Sequence, residues 1–199
     1  MIPADLFYVF SGFLYIIFII FCFIKKKFTL QFHILFFLLL VYINIVVGIT
    51  LFPIPFDKRY IAFNVEHGIG RKFNFVPFMF IKDLISNVSR DRIPVFGNMV
   101  LLFPLGYLVP IIFKKINNLV KTALVGLVIA IGIETLQFII SYFLGFKYRS
   151  VDVDDLILNT TGAVIGYLIL RLMIPVVEKF FDTKLETKPL NKKNSVSES

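Results

Sequence analysis

The sequence predicts an all-α, polytopic membrane helix bundle of about five transmembrane helices, with a short amphipathic interfacial helix in the second outer segment. Two observations carry this. Of 199 residues, 58% are apolar and only 17% are charged, against roughly one quarter charged in soluble domains. A chain this short also leaves much of its surface outside any core, so the apolar excess must face lipid. A soluble enzyme and a disordered regulator are excluded. The net charge of +8 becomes a matter of topology. Because the basic residues lie between apolar spans instead of forming one stripe, nucleic acid is not an expected partner.

The spans follow from the need for about 20 apolar residues to cross the hydrocarbon. They run Leu6 to Ile24, Ile34 to Phe52, Phe96 to Phe113, Thr122 to Leu144 and Leu156 to Ile174. The first lacks a basic leader and a small-residue cleavage pattern, so it reads as a retained span. Cys22 is a lone cysteine within it and forms no internal disulfide. In the third, Pro104 and Pro110 predict kinks. In the fifth, Arg171 lies near one end and can snorkel to the interface.

Short loops rich in Lys and Arg lie on the cytoplasmic side. Lys25–Lys27, the Lys114/Lys115/Lys121 turn and the basic tail all fall on one side of a five-span chain, which carries a net +8 against +1 for the other side. The expected localisation is therefore a multi-pass protein of the cell membrane, N-terminus outside and C-terminus cytoplasmic. Residues 1–69 hold two helices and the start of an outer loop. Residues 70–174 form the chemically informative part, and 175–199 a basic, partly disordered tail. Within the outer loop, Pro77 suits the first turn of a helix on which Phe78, Ile81, Ile85 and Val88 recur at helical spacing.

The informative residues are those costly to place in lipid. Glu134 lies ten residues before Leu144, about 15 Å below the outer end of its span. An ionised carboxylate at the centre of a span costs about 2.5 kcal/mol or more. Gln137 and Ser141 share its helix face. At the start of the fifth span stand Arg149, Asp152, Asp154 and Asp155, with Asn159 one turn further. One aspartate is accounted for as a helix cap, the others are not. Asn98 opens the third span at the same level. These groups predict an outward-opening polar pocket, with Asn98, Arg149, Asp152, Asp155 and Asn159 ringing its mouth and Gln137 and Glu134 beneath. Gly162 and Gly166, in a G-x-x-x-G arrangement, predict close helix packing.

Together, Asn74-Phe75-Val76-Pro77-Phe78, the run from Gly97-Asn98 to Pro104-Leu105-Gly106, Glu134-Thr135-Leu136-Gln137-Phe138, and Arg149-x-x-Asp152-x-Asp154-Asp155-Leu156-x-x-Asn159 followed by Gly162 and Gly166 resemble the VanZ-like family of bacterial membrane proteins. The likeness covers roughly residues 70 to 170, in order. It implies a role at the cell envelope, since the founding member is associated with resistance to teicoplanin, an acylated glycopeptide.

Three function classes follow. The first is an envelope-binding or envelope-modifying protein whose pocket takes an amphiphile, with Asn74, Pro77, Asn98, Gln137, Arg149, Asp154 and Asn159 as binding residues. Its partners would be membrane lipid and a lipid-linked envelope precursor or lipidated glycopeptide. The second is an enzyme in which Glu134, Asp152 and Asp155 are catalytic and Asp152 and Asp155 hold a divalent cation. No HExxH, Ser/His/Asp or Cys/His set supports it, and His33 and His67 lie on opposite faces of the membrane. The third is a proton-coupled transporter, enlarged as a homodimer through Gly162 and Gly166, or a structural partner in an envelope complex.

Overall fold

The computed structural model describes residues 3–24, 29–70, 73–85 and 89–181. Lys25–Lys27, Val88 and the tail beyond Phe181 therefore lie outside the described residues. Helices α1 (Asp5–Ile24) and α2 (Leu30–Leu51) form an N-terminal hairpin, followed by α3 (Lys58–Glu66), the two-residue strand β1 (Phe73–Asn74) and the short α4 (Phe80–Ile85). Then come α5 (Ser89–Leu101), α6 (Phe103–Ile112), α7 (Leu119–Leu144), β2 (Val151–Asp152) and α8 (Val153–Phe181). Among the described residues four stretches are long and apolar enough to span a membrane: Leu30–Leu51, Arg92–Ile112, Leu119–Leu144 and Val153–Ile174. The apolar helix α1 is slightly shorter by the same measure. This is the expected polytopic bundle.

Local chemistry fixes the helix ends. Thr29 and Asn118 accept backbone N–H groups at the starts of α2 and α7, and Gly145, in the left-handed region at φ 74°, ends α7. Asp57 caps α3 by accepting from Arg59 and Tyr60, where the sequence predicts only loop. The third span breaks at Leu102, just before Pro104, whose missing N–H cannot continue the ladder. At that break the Tyr42 hydroxyl donates to the Leu101 carbonyl at 2.7 Å.

Helix α8 is the centre of the bundle, packed against α5, α6 and α7. In lipid the hydrophobic effect does not drive helices together, so close approach and polar contacts must. The small residues supply it. A side chain at Gly106 would overlap the Ala163 carbonyl, one at Gly162 the Met99 carbonyl, and one at Gly166 the Phe103 carbonyl. Gly162 and Gly166 are thus occupied by this chain's own α5 and α6, which corrects the expectation that they present a dimerisation face. Helix α2 joins this core through Leu39 and Val46, while α1 is loosely attached. It packs on α2, where the Ser11 hydroxyl donates to the Asn44 side-chain oxygen and Gly48 receives Tyr8.

The connections following α2 and α7 meet at one end of the bundle. There β1 pairs in parallel with β2, Phe73 beside Val151 and Asn74 beside Asp152. Within the described residues the expected interfacial helix is α4, and Pro77 sits in the turn before it instead of in its first turn. Phe75, Val76, Phe78, Met79, Ile81 and Ile85 are all exposed there, so the segment does present an apolar surface.

Candidate functional site

Glu134, Gln137 and Ser141 are all buried on one face of α7, but each meets a different neighbour. The Glu134 carboxylate accepts the Asp152 amide at 3.0 Å. Gln137 donates to the Thr50 carbonyl at 3.0 Å. Ser141 lines a separate hollow with Phe73, Phe138 and Lys147. The three therefore do not form one ladder into one cavity. Depth is corrected as well. A carboxylate ten residues from the end of α7 can bond the residue before α8 only if the α7–α8 connection folds back along the bundle. Glu134 thus stands level with the start of α8, at the mouth instead of beneath it. Irregular backbone at such a level is tolerated because protein covers it.

The first turn of α8 divides its aspartates. Asp152 is the N-cap, its carboxylate accepting the Asp154 amide at 2.8 Å and the Asn74 side-chain amide at 2.7 Å. Asp154 is almost fully buried. It accepts the Phe78 amide at 2.5 Å and the Phe80 amide at 2.9 Å. Phe78 has φ 68°, a conformation unusual outside glycine, and Asp154 holds the turn that requires it. Asn74 completes the clip, its oxygen accepting from Val76 at 3.0 Å. Asn74, Asp152, Asp154 and Glu134 thus form one structural network, with Pro77 exposed at its edge.

Asp155 points the other way. Its carboxylate accepts from the Asn98 side-chain amide on α5, and both residues line a groove of about 730 Å³. Thr50, Gln137, Arg149 and Ser150 supply the other polar wall groups. Ile45, Ile49, Ile93 and Val100 form an apolar flank, and Tyr42 closes the groove near the helix break. Arg149 donates to the Phe52 carbonyl, and the adjacent Tyr148 hydroxyl donates to the Leu51 carbonyl at 3.1 Å. Burial pushes the Tyr148 hydroxyl above its usual range, partly offset by Arg149.

Of the expected site residues the structure therefore joins Asn98, Gln137, Arg149 and Asp155 in one groove. Asn74, Glu134, Asp152 and Asp154 are joined in the neighbouring clip. Asn159 is buried one turn deeper on α8, its side-chain oxygen without a partner among the described residues. Tyr42 and Thr50 were missed because hydroxyls inside an apolar helix barely alter its hydropathy. Among the described residues no group of three or more His, Cys, Asp or Glu could hold a metal ion. Asp152 and Asp155, expected to share a cation, instead serve the clip and the groove separately.

A sequence profile described as VanZ/LLP1 matches residues 37–174, most of the chain. The chain belongs to the VanZ/LLP1 family. The VanZ/LLP1 match takes in α2 from residue 37 as well as the segment from residue 70 onward, so it contains both walls of the groove. Protein VanZ of Enterococcus faecium is 30% identical over 129 residues, which cover 65% of this chain and 68% of that protein. No solved structure matches.

Proposed function

We propose that this VanZ-like protein of the bacterial cell membrane binds an amphiphilic envelope component in the groove between α2, α5 and α7, and so contributes to resistance against acylated glycopeptides of the teicoplanin type. The observation that carries this reading is the groove's division into two kinds of wall. Asn98, Gln137, Arg149 and Asp155 supply its polar wall groups, and Ile45, Ile49, Ile93 and Val100 its apolar flank. A polar head and an apolar chain are matched by such a pair of walls, and sites of this size commonly take small molecules. Glu134, Asp152 and Asp154 act as the frame that holds Asp155 in place.

The groove opens to the outside, with the N-terminus outside and the C-terminus cytoplasmic. Support comes from the Lys/Arg asymmetry and from the pairing of β1 with β2, which puts the connections following α2 and α7 at the same end. The outer leaflet is where lipidated antibiotics and lipid-linked wall precursors are met.

The test is expression in a glycopeptide-sensitive bacterium of wild type, Asp155→Asn and Arg149→Gln at matched membrane levels. Wild type protects against the acylated drug and not its non-acylated analogue, and both variants lose that protection. Undiminished protection in both variants would remove the groove from the mechanism.

A further inference from the structure

Resting on the groove reading above, we propose that the groove's occupant is an aminophospholipid that enters sideways from the outer leaflet between α2 and α5, its phosphate against Arg149 and its ammonium against Asp155 and Gln137. The entry route comes from packing. Helix α2 packs on α6 and α7 and meets α5 at its far end, where Tyr42 bonds the Leu101 carbonyl, leaving little packing along the rest of α5. Across that gap Ile45 and Ile49 of α2 face Ile93 and Val100 of α5, and all four are half exposed or more while lining the groove. A groove whose flank is open at membrane depth admits an acyl chain directly from the bilayer and needs no path through water.

The head assignment comes from the polar wall groups. Gln137 is only 8% exposed and lines the groove. Its amide nitrogen is used on Thr50, while its side-chain oxygen has no partner among the described residues. A buried acceptor left unpaired costs about 1–3 kcal/mol, so the groove is built for a ligand that donates a hydrogen bond. Asp155 is a second acceptor beside it. Its carboxylate favours a cationic donor over a hydroxyl. Arg149 is the groove's cation and suits the phosphate, which guanidinium binds well. The two signs of charge in one groove, with an apolar flank beside them, match a zwitterionic head on an acyl chain.

The experiment uses the purified full chain, offered phosphatidylethanolamine, phosphatidylcholine and phosphatidylglycerol of identical acyl composition, with bound lipid read by native mass spectrometry. The expected result is retention of phosphatidylethanolamine about tenfold over phosphatidylcholine, whose ammonium cannot donate, which is the effect of one good interaction. Asp155→Asn should erase that preference, and Val100→Trp at the portal should reduce retention of every lipid. Equal retention of the three lipids by wild type overturns the proposal without recourse to any variant, as does full binding by Val100→Trp and by Ile49→Trp. Preference for phosphatidylglycerol, with Asp155→Asn still losing drug protection, overturns the amine assignment and leaves the groove reading standing. No lipid retained and no loss of protection would sink both.

Discussion

The two sides of the first turn of α8 carry adjacent aspartates with opposite surroundings. On the loop side Asp154 is buried and its oxygens are spent on the Phe78 and Phe80 amides. On the groove side Asp155 is held by Asn98 and borders an open volume. Charge and composition are the same on both sides. What differs is whether the backbone of another segment or an unfilled space lies opposite. Buried carboxylates in a membrane thus divide into those that complete the fold and those the fold holds ready, and hydrogen-bond partners tell them apart where residue type does not.

The strongest way to break this comparison is Asp154→Ala. It strands two amides, at about 1–3 kcal/mol each, so a loss of about 2–5 kcal/mol is expected, read as a lowered unfolding midpoint in detergent. Asn74→Ala removes its bonds to Asp152 and Val76 and should cost about 1–2 kcal/mol. Faster hydrogen exchange confined to residues 73–80 would identify that loss. Asp155→Asn keeps an acceptor for Asn98, so about 1 kcal/mol or less is expected, while ligand binding and drug protection fall. If Asp155→Asn destabilises as much as Asp154→Ala, the two sides are not different in kind. Ser11→Ala, in the loosely attached α1, should cost about 0.6 kcal/mol and leave both sides untouched. A larger loss would mean that α1 supports the groove through α2.

Hydropathy made the spans legible because lipid demands long uninterrupted apolar runs, and Pro104 correctly marked a break in the third span. Asn98, Gln137, Arg149 and Asp155 were legible for a related reason, since polar groups next to or within apolar helices must converge or be lost. The vertical order was not. Counting residues along α7 placed Glu134 below the mouth, because nothing between Gly145 and Val151 signals that the connection folds back. Only the 3.0 Å bond from the Asp152 amide to Glu134 reveals it. Helix α3 went unseen because it is only nine residues long and too polar to stand out as a span, although Asp57 carried the capping signal. The hydrogen-bond partners of Asp154 were equally hidden, since an amide donor 76 residues away leaves no periodic trace.

The clip between Asn74 and Asp152 also sets an order of assembly. Its halves are 78 residues apart in the chain, with two spans threaded between them. During synthesis α7 must enter the bilayer carrying Glu134 before the amide that will neutralise its isolation has been made. A nascent chain halted ahead of β2 would therefore expose an uncompensated acid to the insertion machinery and to membrane proteases.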